Sequence, residues 1–180
     1  EEKAAVYDMF LLTMKPTLYV ANVDEDTIAD GTNKYVEIVK KYADEEKSEV
    51  VVICGKFEAD LAEIDDPADR KDFMESVGLK ESGLAVLARK AYHLMGLRTF
   101  FTGGPDECRA WTIHNGDKAP RAAGVIHTDF EKGFIKAEAY TIDDLRQYKD
   151  EASIKAAGKY RQEGKEYVVQ DGDVILFRFN

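Results

Sequence analysis

Two short apolar segments, each ending in a polar turn, constrain this chain more than any other feature of its sequence. Residues 17–21 (TLYVA) have the pattern of a buried strand that stops at a turn carrying Asn22, Val23 and Glu25. Residues 49–54 (EVVVIC) are a second strand candidate, followed by the turn 55–58 (GKFE). Apolar residues without alternation are typical of a strand covered on both faces, as in a parallel sheet. Parallel strands that end side by side place their turns on one rim, where open α/β sheets bind nucleotides.

The stretch between these strands has a helical pattern. Apolar side chains share one face of residues 31–43 and charged side chains share the other, so strand, helix and strand fit one βαβ unit of about 35 residues. Helical spacing also covers residues 58–64, 67–77 and 82–94, the last with Ser82 as its cap. At the beginning of the chain, residues 1–13 predict a helix that Pro16 would end.

The pattern changes near Gly96, where we place a domain boundary. Five strands are predicted beyond it, at residues 97–102, 109–114, 133–141, 167–169 and 173–179. Gly103-Gly104-Pro105-Asp106 is a strong turn signal between the first two, and residues 170–172 predict a tight hairpin between the last two. Helices are expected at residues 120–126, 143–148 and 152–162. The fold class predicted is a parallel α/β unit followed by a compact α+β sheet domain.

Composition and charge narrow the classes of function. The net charge is −10, of which residues 1–96 carry −9 (12 basic against 21 acidic) and residues 97–180 carry −1 (13 against 14). An acidic first half argues against nonspecific binding of nucleic-acid phosphates there, and the near-neutral second half leaves that question open. No apolar run approaches the ~20 residues of a membrane helix. Two cysteines outside any Cys-x-x-Cys pair fit a reducing cytosol, although the pattern leaves a disulfide open.

Isolated polar residues give no catalytic or metal site. The three histidines lack metal-ligand spacing, so no metal is assigned to the chain. His127 is expected to begin a turn or to pack locally, since no nucleophile motif accompanies it. Trp111 and Phe130 could stack on nucleotides, but Trp111 lies in a strand pattern and is expected to pack in or near a core. The chain begins without Met, which leads us to expect a fragment.

The two turns carry the chemistry of the predicted rim. In P-loop GTPases an Asn-Lys-x-Asp turn reads guanine, and the Asp carboxylate accepts two hydrogen bonds from N1 and N2 of the base. Here the turn is Asn22-Val23-Asp24-Glu25, in which the longer Glu25 side chain would overshoot the base plane. Adenine, contacted by backbone groups around Asn22 and Val23, becomes plausible. Taken alone, the motif is also compatible with a plain strand-ending turn, because Asn tolerates left-handed backbone.

Longer motifs resemble the YchF subfamily of Obg-related P-loop NTPases over essentially the whole chain. The matching stretches are LTMKPTLYVANVDE (12–25), FEADLAE (57–63), FTGGPDECRAWTI (101–113), AGVIHTDFEKGF (123–134) and DGDVILFRF (171–179). The resemblance implies that residues 1–95 are the C-terminal part of a P-loop nucleotide-binding domain, with residues 1–13 ending a helical insertion. Residues 96–180 would be a TGS domain, which has a β-grasp fold.

The resemblance also implies a function and a site. Members are similar to GTPases, tend to favour ATP, and associate with ribosomes in the cytoplasm. By motif position, Asn22 and Val23 would contact the base, Glu25 fills the changed specificity position, and Cys54, Gly55 and Lys56 would form a second base loop. ATP or GTP is the expected ligand and Mg²⁺ is expected only with a missing N-terminal half, because the chain lacks the Gly-x-x-x-x-Gly-Lys-[Ser/Thr] loop. Alone it should therefore have no hydrolytic activity. The alternative is a non-catalytic TGS module that docks on the ribosome, RNA or a protein partner.

Overall fold

Two compact units make up the chain, Glu1–Met95 and Gly96–Asn180. The computed structural model describes residues 6–104 and 107–180. Residues 1–5 of the expected first helix, and Pro105-Asp106 of the expected turn, lie outside the described residues. In the part of the chain that is described, no helix has the length and apolar character needed to cross a membrane.

The N-terminal unit contains a parallel pair of strands, β1 (Leu18–Asn22) and β2 (Glu49–Ile53), paired in register from Leu18–Glu49 to Asn22–Ile53. The parallel pairing that the apolar segments predicted is confirmed. Five α-helices of this unit are described: α1 (Glu25–Ile28), α2 (Lys34–Glu46), α3 (Gly55–Ala62), α4 (Pro67–Ser76) and α5 (Gly83–Leu94).

Local capping explains where these helices begin. Helix α2 begins later than residue 31 because Asn33 is extended and its Oδ1 accepts hydrogen bonds from the Tyr35 and Val36 amides, at 2.9 and 3.0 Å. Ser82 caps α5 as predicted, by accepting from the Ala85 amide. The core beneath α3 is formed by Ile28, Cys54, Phe57 and Leu61, which are all buried.

The expected helix at residues 6–13 is wrong. The chain instead makes two short 3₁₀ turns, Tyr7–Met9 and Leu12–Met14, and Leu12 is 82% exposed. An amphipathic segment this short is marginal as a helix unless its apolar face packs against a partner. The exposure of its side chains shows that no such partner lies within the described residues.

The C-terminal unit is built on a mixed five-stranded sheet with the order β4-β3-β7-β5-β6. Its strands are β3 (Leu97–Gly103), β4 (Cys108–His114), β5 (Phe134–Thr141), β6 (Arg161–Glu163) and β7 (Asp173–Phe179). Strand β7 is central: it pairs in parallel with β3 and antiparallel with β5. The chain is therefore α/β, with one parallel and one mixed sheet.

Helices cover both faces of this sheet. Helix α6 (Ala119–Ile126) places three buried alanines against a core that includes Phe100 and Phe177. The other cluster, around Tyr140, Ile154 and Val174, lies where α8 (Ile142–Tyr148) and α9 (Glu151–Ala156) pack. Neighbouring strand residues such as Ala139 and Tyr140 belong to different clusters because successive side chains point to opposite faces.

Two predictions for this unit are wrong, and one helix was not predicted. The helix expected at 152–162 stops at Ala156, Gly158 takes a left-handed φ of 69°, and the chain then enters β6. Residues 167–169 make one isolated bridge, Lys118–Val168, instead of a strand, so they form no hairpin with β7. A helix that was not predicted, α7 (Thr128–Lys132), follows His127, whose Nδ1 caps it by accepting from the Asp129 amide.

The reason for the second error is a buried carboxylate. Asp173 is fully buried and accepts hydrogen bonds from the Arg161 guanidinium (2.9 Å), the Tyr167 hydroxyl (2.7 Å) and the Gln170 amide (2.9 Å). Residues 167–170 fold around this carboxylate and donate hydrogen bonds to it, because a buried unpaired charge is very costly. These contacts replace the ladder that a hairpin would make.

A second buried carboxylate lies on strand β5 next to two cations. Glu138 is 9% exposed, and its carboxylate contacts Lys136 Nζ at 2.9 Å and an Arg178 guanidinium nitrogen at 3.0 Å. The hydrogen bond from Lys136, followed by that from Arg178, lowers the pKa of Glu138 to about 2.

Candidate functional site

Asn22 and Gly55, from the two predicted loops, are in direct contact at the carboxyl end of the parallel strands. Asn22 is the last residue of β1, and its Oδ1 accepts a hydrogen bond from the Gly55 amide at 2.9 Å. Gly55 is the first residue of α3, whose N-cap residue Cys54 provides no side-chain cap. Asn22 therefore caps a helix that follows the neighbouring strand. The opposite end of its amide, Nδ2, makes no hydrogen bond with the described residues, and the Asn22 side chain is exposed.

Val23 and Cys54 lie on the core side of the contact between Asn22 and Gly55. The Val23 amide donates to the Ile53 carbonyl at 2.8 Å, which extends the strand pairing one step past Asn22. The Val23 side chain is partly buried against the cluster that contains Cys54, and Cys54 itself is 2% exposed. Cys54 can therefore offer a ligand only its backbone, since its thiol lies in the core.

Glu25 and Lys56 join the two loops on the solvent side. Glu25 is the first residue of α1 rather than part of a turn, and its Oε2 lies 2.6 Å from Lys56 Nζ. The hydrogen bond to Glu25 raises the pKa of Lys56, so the ammonium remains charged. Glu25, which was predicted to fill the specificity position, is thus already engaged by a cation from the second loop. The sequence placed both residues in the site, but their ion pair joins positions 31 apart and has no local signal.

Between these residues, Asp24 shapes the first loop. Its carboxylate accepts from the Thr27 amide at 3.0 Å and caps α1, and the hydrogen bond to Thr27 lowers the pKa of Asp24. The loop consequently turns directly from strand into helix. This directs the Glu25 side chain from the first turn of α1 towards Lys56.

Four of the six predicted residues lie on a surface that is open to solvent, and the other two lie partly or wholly beneath it. Asn22, Glu25, Gly55 and Lys56 are exposed, Val23 is half-buried and Cys54 is buried. None of the six lines either of two cavities of the N-terminal unit, of about 530 and 500 Å³. A flat ligand resting on this surface would be covered on one side only.

The hydrogen-bond donors of this surface are a side-chain amide and the first backbone amides of α3. Asn22 Nδ2 is a donor of the kind that the N7 acceptor of either purine needs. The first amides of α3 have no partners within the helix, as at any helix N-terminus. Among residues 6–104 and 107–180, no group of three or more His, Cys, Asp or Glu side chains is arranged to hold a metal ion.

Comparisons with known proteins agree with the motifs. The family model YchF-GTPase_C, described as a protein of unknown function (DUF933), matches residues 97–180. The chain is 51% identical over 181 residues to the ribosome-binding ATPase YchF of Bacillus subtilis. This alignment covers 100% of this chain and 49% of that protein. The solved Schizosaccharomyces pombe YchF GTPase superposes with a TM-score of 0.82 at 37% identity, over 97% of this chain and 46% of that one. The chain is similar to YchF proteins along its whole length.

Other relatives extend this similarity. Obg-like ATPase 1 of Xenopus laevis is 45% identical over 171 residues, which are 94% of this chain and 43% of that protein. A GTP-binding protein from Pyrococcus horikoshii shares the fold, with a TM-score of 0.60 and 16% identity, over 92% of this chain and 46% of that one. The chain described here spans about half the length of the relatives it matches.

Proposed function

We propose that these 180 residues supply the base-recognition loops and a partner-binding domain of a longer, ribosome-associated protein that binds and hydrolyses ATP or GTP. In this proposal residues 1–95 are the C-terminal part of a P-loop nucleotide-binding domain and residues 96–180 are a TGS domain with a β-grasp fold. The relatives named ribosome-binding ATPase YchF, of which this chain spans about half, support the proposal. Such a protein would work in the cytoplasm, where ribosomes are.

The single observation that carries the nucleotide part is the hydrogen bond from the Gly55 amide to Asn22 Oδ1. It orients the Asn22 amide so that Nδ2 points away from Gly55 and remains available as a donor for purine N7. Backbone groups of Val23, Cys54 and Gly55 would lie along the same edge of the base. The Lys56 side chain, which leaves the second loop beside them, would border the base on the solvent side.

The ion pair between Glu25 and Lys56 bears on which purine is bound. A carboxylate that selects guanine must accept two hydrogen bonds from N1 and N2 of the base. In this chain Lys56 already donates to that carboxylate at 2.6 Å, so guanine would have to compete with the ammonium for it. We therefore infer a site that does not select guanine, in which ATP binds at least as well as GTP.

The open surface explains why the loops need the rest of a nucleotide-binding domain. The six residues hold one edge and one face of a base, and none of them resembles the phosphate loop of a P-loop NTPase. The triphosphate, its Mg²⁺ and the attacking water would be held by residues outside this chain. Hydrolysis thus belongs to the full-length protein, by which we mean the product of the gene that encodes these 180 residues.

Thermal unfolding tests the nucleotide part of the proposal. We expect the 180-residue chain to show no change in melting temperature with ATP or GTP at millimolar Mg²⁺, whereas the full-length protein should be stabilised, because a ligand that binds only the native state stabilises it. The sequence upstream of Glu1 should carry a P-loop. A full-length protein that neither nucleotide stabilises would contradict the proposal.

A second candidate function rests on the C-terminal unit alone. It has its own sheet and core, and residues 97–180 match a family model by themselves. These observations favour a module that docks on the ribosome, RNA or a protein partner without nucleotide dependence. Cosedimentation of the full-length protein with ribosomes, with and without ATP, separates the candidates. Equal binding in both conditions favours the module, and a nucleotide-dependent change favours the ATPase.

A further inference from the structure

A buried carboxylate lies directly behind the second loop and has no part in the proposed base contacts. Glu58 belongs to the first turn of α3, is 7% exposed, and its Oε1 accepts a hydrogen bond from the Gly83 amide at 2.6 Å. Gly83 is the first residue of α5, so Glu58 caps a helix that begins 25 residues later in the chain. A hydrogen bond between an ionised carboxylate and a helix N-terminal amide is among the stronger kinds in proteins.

The Gly83 side of this contact allows no larger residue without displacement. A Cβ at position 83 would lie 2.8 Å from Ile53 Cγ2 and 3.0 Å from Glu58 Oε1. The beginning of α5 is thus packed against the end of β2. Ile53 is paired with Asn22 across the strands, and its carbonyl accepts a hydrogen bond from the Val23 amide. Gly83 therefore supports the residue on which both Asn22 and Val23 depend.

The Glu58 side of the contact reaches the second loop through one helical turn. The Glu58 amide donates to the Cys54 carbonyl at 3.0 Å, which closes the first turn of α3 around Gly55 and Lys56. Fixing the Glu58 side chain to α5 fixes the rotation of that turn about the helix axis. That rotation sets the direction of the Gly55 amide. It therefore also sets the orientation of the Asn22 side chain, which accepts the hydrogen bond from this amide.

We propose that Glu58 and Gly83 are positioning residues for base recognition: their hydrogen bond holds the Gly55 and Asn22 loops in the orientation that contacts the purine. This inference rests on the proposed nucleotide site and assigns it two further residues that touch no ligand. A residue that only stabilised the fold would affect every part of the ligand alike, whereas a positioning residue for the base affects the base alone.

The experiment compares ATP with inorganic tripolyphosphate, which has the phosphates but no base, by calorimetry on the full-length protein. Glu58→Ala should weaken ATP binding about tenfold, because it leaves a buried amide without an acceptor, and should leave tripolyphosphate binding unchanged. Glu58→Gln keeps an acceptor oxygen and should lose only about two- to threefold. The matched control is Glu63→Ala, which removes an exposed carboxylate at the end of the same helix and should change neither affinity.

Gly83→Ala perturbs the same hydrogen bond at its donor residue. It should also weaken the binding of ATP but not that of tripolyphosphate. If Glu58→Ala fails to fold, Glu58→Gln and Gly83→Ala decide the question by the same comparison. Unchanged ATP affinity in folded variants, or equal losses for ATP and tripolyphosphate, overturns the positioning role. Wild-type protein that binds neither ATP nor GTP instead contradicts the proposed function, so the two failures are distinguishable.

Discussion

Replacing Asn22 by Ala in the full-length protein tests the contact on which the proposed site depends. The variant loses the acceptor of the Gly55 amide, 2.9 Å away, and the Nδ2 donor that we assign to purine N7. Each hydrogen bond contributes about 0.5–1.5 kcal/mol net, so the two together amount to about 1–3 kcal/mol. At ~1.4 kcal/mol per decade, we expect the dissociation constants of ATP and GTP to rise about 5- to 150-fold.

The chain offers a closely matched control for this variant. Asn33 also caps a helix of the N-terminal unit through Oδ1, accepting from the Tyr35 and Val36 amides, but it belongs to neither loop. Asn33→Ala should destabilise the fold by about 0.5–2 kcal/mol, as a lost N-cap does. It should leave nucleotide affinity at the wild-type value when binding is measured by calorimetry well below the melting temperature. Unchanged affinity in Asn22→Ala, or an equal loss in Asn33→Ala, would refute the assignment.

Two further predictions concern charged pairs. Lys56→Ala frees the Glu25 carboxylate from its ion pair. The affinity for GTP relative to ATP should then rise about two- to fivefold, which is the range that exposed ion pairs reach. An unchanged ratio of the two affinities, measured by calorimetry, contradicts the competition we infer. Glu138→Gln should destabilise the chain at neutral pH, because the hydrogen bonds from Lys136 and Arg178 hold the folded-state pKa of Glu138 at about 2, below the usual 4.5. A depressed carboxyl pKa stabilises the fold above the unfolded pKa, and this stability is lost as the pH falls through the folded pKa. The difference in melting temperature between wild type and variant should therefore shrink between about pH 4.5 and 2, and a difference independent of pH contradicts it.

Regular periodicity in the sequence was enough to predict the parallel strands and the helix between them, but Glu25 and residues 55–57, which were expected to lie in turns, are helical. Strands β1 and β2 are continuous apolar runs, and the amphipathic stretch between them forms α2, so the parallel pair followed from the sequence. Ser82 was also predictable, because a helix cap acts over three residues. Elements whose structure depends on residues near them in sequence can therefore be predicted from the pattern of apolar and capping residues.

The errors arise where distant residues decide the local structure. Residues 161–163 continue a helical pattern, but the left-handed Gly158 ends it and the strand pairs with β5, more than 20 residues earlier in the chain. The contacts that define the site are equally distant: Asn22 reaches Gly55 across 33 positions, and Glu58 reaches Gly83 across 25. The sequence identified which residues belong to the loops, but it gave no sign of which atoms join them.

The central place of β7 in its sheet has a consequence for how the C-terminal unit forms during synthesis. The strand that joins β3 to β5 is translated after the other strands of this sheet in the described residues, so the pairs β4-β3 and β5-β6 cannot be joined beforehand. Nascent β3 and β5 would each expose an open edge, and such edges invite pairing with other chains until the final strand arrives. Premature termination just before Asp173 would accordingly yield an aggregation-prone product rather than a slightly shortened domain.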